Sequence, residues 1–134
     1  MYSIQEVSEK TGLSAHTLRF YEREGLLGSV ERSKSGFRQY TDEDLEILSG
    51  ICCLKHTGMS LREIARFMEL SREGDQTLRQ RVALLEAHRN KVLAQMEQMQ
   101  SHLDKVTRKL SCYTERLRAY EGSGSGTQGP KNCD

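Results

Sequence analysis

The 134-residue chain is poor in the features that most directly name a chemistry. No stretch approaches the ~20 consecutive apolar residues of a membrane-spanning helix. Met1–Glu6 carries no signal-peptide pattern, so the expected compartment is the cytoplasm, with no membrane partner. The four cysteines do not make a disulfide framework: Cys52 and Cys53 are adjacent, and Cys112 and Cys133 stand far off. In a cytoplasmic chain their thiols are expected to stay reduced. There is no Gly-rich phosphate loop, no paired-carboxylate cleft and no nucleophile–base pair, which argues against an enzyme, and nothing calls for a cofactor. Net charge is only +1 and announces no nucleic-acid partner. From Lys10 to Arg38, however, six basic residues face three acidic ones, a small local excess.

Proline and glycine are also missing from Leu78 to Tyr120, and that absence is informative. Steps of four and three from Leu78 land on Val82, Leu85, Arg89, Val92, Met96, Met99, Leu103, Val106, Leu110, Tyr113, Leu117 and Tyr120. Arg89 is the only polar stop. One unbroken helix of roughly 65 Å is implied, at about 1.5 Å per residue. An apolar stripe of 3.5-residue period buries itself against another helix. The chain offers no second helix of that length, so the partner is expected to be another copy, and the protein an obligate homodimer.

The front has a different rhythm. Ser3 with Glu6 makes a capping box for a first short helix ending at Gly12. Ser14 caps a second helix that runs through Leu18, Phe20 and Tyr21 to Gly25. Two short helices about a tight turn are a helix-turn-helix pattern, whose second helix enters the DNA major groove. Its exposed candidates are Ala15, His16, Thr17, Arg19 and Arg23. Leu27–Tyr40 then holds two extended runs, around Ser29–Arg32 and Phe37–Tyr40, joined by Ser33-Lys34-Ser35-Gly36, which has hairpin chemistry. That is a wing, with Arg32, Lys34 and Arg38 as its cations. Thr41, followed by Asp42, Glu43 and Asp44, opens a third helix that stops at Gly58. Ser60 with Glu63 caps a fourth that runs to about Leu70. The predicted organisation is mainly α: a winged helix-turn-helix head over 1–70, a linker over 71–76, a dimerisation helix over 77–121 and a disordered tail over 122–134.

In order and at matching spacing, Gln5-Glu6-Val7, Thr11-Gly12-Leu13, Thr17-Leu18-Arg19-Phe20-Tyr21-Glu22, Gly25-Leu26-Leu27, Gly36-Phe37-Arg38-Gln39-Tyr40 and Gly58-Met59-Ser60-Leu61-Arg62-Glu63-Ile64 resemble the MerR family of transcription regulators. The likeness covers residues 1–70 almost continuously. Gly28 departs from it, because family members often carry proline after Gly-Leu-Leu. The resemblance implies an antiparallel coiled-coil dimer on a pseudo-palindrome inside a promoter with an over-long spacer. Distorting that spacer realigns the promoter elements for RNA polymerase, a regulatory use of DNA deformability. It also implies DNA contacts at Arg19 and Tyr21 on the second helix and at Arg38 and Tyr40 on the wing. With Ser14, His16, Thr17, Arg32 and Lys34 these make the predicted DNA-binding set.

Sensing is less legible. Metal-sensing members place cysteines at the base of the long helix and in a loop after it. Here Cys112 has only Cys133 for company, twenty-one residues on, which is poor metal-site spacing. No large ligand-binding domain and no iron–sulfur cysteine cluster is visible, and no metal ligands are assigned. His16, His56, His88 and His102 read as surface or interface residues. Helix phase puts Cys52 on the buried row of Leu45 and Leu48. It puts Cys53 on the polar row of Glu46, Ser49 and His56, with Lys55 near enough to favour a reactive sulfur. Cys53-Leu54-Lys55-His56-Thr57-Gly58-Met59-Ser60-Leu61 resembles a subgroup with a lone cysteine at this position that regulates aldehyde and nitric-oxide detoxification. Cys53 is therefore the predicted sensing residue. A metal- or small-ligand-responsive regulator and a non-responsive architectural DNA binder remain as alternatives.

Overall fold

The computed structural model describes residues 1–123 and 132–134. Contacts divide the chain into a unit of Met1–Arg89 and a unit of Asn90–Asp134. The first holds helices α1 (Ile4–Thr11), α2 (Ala15–Arg23), α3 (Asp42–His56) and α4 (Leu61–Glu73), and strands β1 (Glu31–Arg32) and β2 (Arg38–Gln39). A 3₁₀ turn, Asp75–Thr77, then leads into α5 (Leu78–Ser123), whose 46 residues run on into the second unit.

Local chemistry sets the starts and stops. The Ser3 hydroxyl accepts from the Glu6 amide, and the Glu6 carboxylate accepts from the Ser3 amide, both at 3.1 Å. Gly12 ends α1 in the left-handed region at φ 77°, where a side chain would be strained. The Ser14 hydroxyl caps α2 by accepting from the Thr17 amide at 3.0 Å. At α3 the reciprocal box joins Thr41 and Asp44. At Ser60 the cap is only half the predicted box, because the Glu63 carboxylate accepts from the Ser60 hydroxyl rather than from its amide. The predicted linker over 71–76 is mostly structured. Ser71-Arg72-Glu73 contains no helix breaker, so α4 continues to Gly74, and the 3₁₀ turn follows at once.

The core is shared by all parts of the head. Val7, Leu18, Tyr21, Leu26, Leu27, Val30, Tyr40, Leu48, Ile51, Met59 and Ile64 form one buried cluster. Each large apolar side chain there contributes about 1.5–3 kcal/mol of burial. α1 packs on α2 and α3, and α3 packs on α4. The two strands pair antiparallel in the register Glu31↔Gln39 and Arg32↔Arg38. The hairpin ladder is shorter than the predicted runs because Tyr40 pairs elsewhere. Its amide and carbonyl bond those of Tyr2, both at 2.8 Å, so the chain start forms a third rung beside the wing.

Two polar stitches fix the later helices. Arg72 donates to the Gly25 carbonyl at 2.7 Å, tying the end of α4 to the end of α2. Thr77 donates to the Leu70 carbonyl at 2.6 Å, and Arg81 donates to Thr77 and to the Gly74 carbonyl, bracing the entry to α5.

In the second unit the α5 stripe is open. Met96, Met99, Leu103, Val106, Leu110, Leu117 and Tyr120 are each more than half exposed. The expectation of reduced thiols fails here: Cys112 and Cys133 are joined by a disulfide. The disordered-tail expectation also changes. Gly122 lies within α5, and Asn132–Asp134 is fastened back on that helix, where Lys109 donates to Asp134 at 2.8 Å. The ion pair sits beside the Cys112–Cys133 disulfide, a proximity that spacing alone does not suggest. The part of the predicted tail from 124 to 131 lies outside the described residues.

Candidate nucleic-acid interface

The predicted DNA-binding residues separate into an exposed set and a buried pair. Ser14, His16 and Arg19 are exposed and Thr17 half-buried along the start of α2; Arg32 and Lys34 are exposed on the wing. The Ser14 hydroxyl is committed to capping, since it also donates to the Thr17 hydroxyl at 3.0 Å. A groove of about 290 Å³ runs between α1, α2 and the wing, lined by Ser3, Gln5, Arg19, Arg32, Phe37 and Arg38 among others. Three arginines thus line one concavity, an arrangement that suits a phosphate backbone. The wing turn is set by the Ser33 amide donating to the Phe37 carbonyl at 2.7 Å and by Gly36 at φ 86°. Arg32 donates to the Gly36 carbonyl at 3.1 Å, which holds its guanidinium at the tip.

Tyr21 and Tyr40 do not present their side chains as the resemblance implies. Both are essentially fully buried and belong to the core. Their aromatic bulk supports α2 and the wing from behind, which explains why these positions carry rings. Lys55 lies 3.4 Å from the Tyr21 hydroxyl. Among the described residues none hydrogen-bonds the Tyr40 hydroxyl. Burial pushes the Tyr40 phenol above the usual tyrosine range, with the Arg38 guanidinium pulling the other way. Arg38 is itself half-buried: its Nε donates to Glu22 on α2 at 2.6 Å. It therefore locks the wing to α2 as well as lining the groove. The cation is legible in the sequence and its anion is not, because no local pattern relates residues sixteen positions apart across a loop.

Around the predicted sensor the geometry is mixed. Cys53 is exposed, as its helix phase implies. Cys52 is only half-buried, because a cavity of about 300 Å³ beside Lys10, Thr11, Leu45 and Ser49 stays open to it. Lys55, the cation expected to serve Cys53, is aimed elsewhere, and so is His56. Lys55 reaches over the Tyr21 ring, and His56 Nδ1 lies 2.7 Å from the Cys52 carbonyl. The Cys53 carbonyl accepts from the Thr57 hydroxyl at 2.8 Å, and that hydroxyl meets His88 Nε2 on α5 at 2.7 Å. His88 is thus a buried joint between α3 and α5 rather than a surface histidine. No sequence signal distinguishes it from the exposed His16 and His102.

Among the described residues no three His, Cys, Asp or Glu side chains gather as a metal site, and no helix is long and apolar enough to cross a membrane.

A helix-turn-helix with a basic wing, followed by one long helix, defines a class of DNA-binding transcription regulators. Comparison narrows it. The family model "MerR HTH family regulatory protein" matches residues 2–71, and "MerR, DNA binding" matches 45–108. The chain belongs to the MerR family, and is not an enzyme. An uncharacterised HTH-type transcriptional regulator of Haemophilus influenzae is 45% identical over 112 residues, covering 84% of this chain and 83% of the relative. A probable heavy metal-dependent transcriptional regulator of the same organism is 34% identical, covering 78% and 81%. Among solved structures, HiNmlR, described as a MerR family regulator lacking the sensor domain, bound to promoter DNA, is 42% identical. It superposes with a TM-score of 0.80, covering 92% of this chain and 95% of that one.

Proposed function

We propose that this regulator binds promoter DNA as a homodimer, with the start of α2 at the major groove and the wing on the flanking backbone. The groove that gathers Arg19, Arg32 and Arg38 between those elements carries the reading. A neighbour of the same architecture bound to promoter DNA supports it. Ser14, His16, Thr17 and Lys34 complete the proposed contact face. Tyr21 and Tyr40 act by positioning it. The second copy covers the α5 stripe from Leu78 through Val82, Leu85, Val92, Met96, Met99, Leu103, Val106 and Leu110 to Tyr113. Exposure of 40–70% along most of these positions supports that assignment, since a single surface helix does not leave so continuous an apolar face in water. In the proposed mechanism the paired heads untwist an over-long promoter spacer, and activation follows when RNA polymerase meets both realigned elements.

Cys53 is the proposed sensing residue, for an aldehyde or nitrosating agent. Its exposure supports the assignment, and so does its peptide carbonyl, one hydroxyl away from His88 on α5. A small adduct on Cys53 would disturb the end of α3 where Thr57 meets His88, and so would reach the DNA-binding elements packed on α3. A reporter assay tests this. Cys53→Ser should bind the promoter as the parent does but lose induction by aldehyde and nitrosoglutathione. Full induction in that variant would remove Cys53 from the account. A metal-responsive reading is favoured by the heavy metal-dependent relative; induction by a metal salt that survives in Cys53→Ser would support it.

A further inference from the structure

Asn132–Asp134 lies on α5 through a small set of contacts that the DNA-binding reading does not use. The Cα atoms of Cys112 and Cys133 are 5.5 Å apart, a separation suited to a disulfide, and both residues are half-exposed, so solvent reaches the pair. Asp134 accepts from Lys109 at 2.8 Å and from the Tyr113 hydroxyl at 3.3 Å, which anchors the residue next to Cys133 one helical turn from Cys112. The cavity beside the pair, about 630 Å³, is lined by Lys105, Arg108 and Lys109. Arg108 and Lys109 precede Cys112 by four and three positions, so both stand over it on the helix face. An anionic sulfur formed there meets a cluster of cations. Asp134 lies on the same cavity.

We propose that Cys112 and Cys133 are a reversible dithiol–disulfide site, closed by a hydroperoxide and opened by a small thiol, and separate from Cys53. In the first step the Cys112 thiolate attacks one peroxide oxygen. An S–O bond forms as the O–O bond breaks, and the leaving oxygen takes a proton as water or alcohol. Cys112 is then a sulfenic acid. In the second step the Cys133 thiolate attacks that sulfur. The S–S bond forms, the S–O bond breaks, and the departing hydroxide is protonated to water. Two thiols are oxidised and one peroxide is reduced by two electrons. Two molecules of a small thiol reverse the closure by exchange and leave as their own disulfide. The Lys109–Asp134 ion pair brings the sulfurs together in the reduced chain. Closure also holds the Asp134 carboxylate at Tyr113, on the stripe assigned to the second copy.

The full chain tests this. It is reduced, treated with one equivalent of hydrogen peroxide, alkylated, and digested without reductant for mass spectrometry. A linked Cys112–Cys133 peptide should appear, with Cys52 and Cys53 alkylated, and dithiothreitol should return all four thiols. In a mixture of ¹⁵N-labelled and unlabelled chains the linked peptides should be uniformly light or heavy, showing closure within one chain. Cys133→Ser should stop at a dimedone-reactive Cys112, Asp134→Asn should close severalfold more slowly, and Cys53→Ser should close like the parent. Links between two chains, oxidation at Cys53 while Cys112 and Cys133 stay alkylatable, or loss of closure in Cys53→Ser would overturn the proposal.

Discussion

The Glu22–Arg38 pair gives a sharp test of how the wing works, because the account assigns Arg38 two jobs. Its Nε lies 2.6 Å from Glu22, and the two side chains are 22% and 20% exposed. An exposed pair contributes about 0–1 kcal/mol, and breaking a fully buried one costs about 3–5 kcal/mol. This pair falls between, so Arg38→Ala should destabilise the head by about 1–2 kcal/mol. The effect on DNA has a different sign structure. Arg38→Ala removes a cation and also uncovers the Glu22 carboxylate beside the phosphates. Glu22→Gln leaves the guanidinium un-neutralised, so affinity should rise and the salt slope should steepen by up to about 0.9, one phosphate's worth. The double variant should bind more tightly than Arg38→Ala alone. Urea unfolding gives the stability cycle, and fluorescence anisotropy on a promoter fragment across salt gives the slopes. Purely additive stability effects, within about 0.3–0.5 kcal/mol, and equal affinity of Arg38→Ala with and without Glu22→Gln, would refute the reasoning.

Arg19→Ala should lower promoter affinity by about 1–3 kcal/mol if the side chain reads a base edge, measured by the same anisotropy titration against a scrambled fragment. Leu103→Asp should put an unpaired charge in the proposed seam and weaken the dimer by about 3 kcal/mol or more, read by light scattering at micromolar concentration. Tyr40→Phe should leave DNA binding unchanged and stability equal or slightly higher, since it removes a buried hydroxyl with no hydrogen-bond partner among the described residues. The raised Tyr40 pKa means that the folded state holds its proton more tightly than the unfolded chain. Its contribution is therefore complete below about pH 10 and lost as pH rises above it, and Tyr40→Phe should flatten that alkaline loss in a pH series of urea melts.

The legible parts of this molecule are those that local rules determine. Ser3, Ser14, Thr41 and Ser60 name their helix starts because a cap needs only a side-chain oxygen and the next turn's amides. The heptad from Leu78 is readable because period alone defines a helix face. Helix phase separates Cys53 from Cys52, fully for the exposed Cys53 and only partly for Cys52, whose burial depends on whether α1 closes over it. What was not readable depends on contacts between distant elements. Tyr21 and Tyr40 share the pattern of DNA-contacting residues, yet packing turned them inward. Glu22 with Arg38, Thr57 with His88, Arg72 with Gly25 and Cys112 with Cys133 are pairs that no periodicity brings together. α4 runs past the predicted end at Leu70 for a simpler reason: Gly74, not the last apolar residue, stops it.

The central claim is that two copies of this head engage one promoter through a basic groove. Its most direct measurement is a salt series of anisotropy titrations on the promoter region beside the chain's own gene, with the stoichiometry determined at each salt concentration. Two chains per site are expected, with an affinity that falls steeply and linearly in log–log form as salt rises and a shallower slope in Arg19→Ala. One chain per site, or binding indifferent to salt, would contradict it.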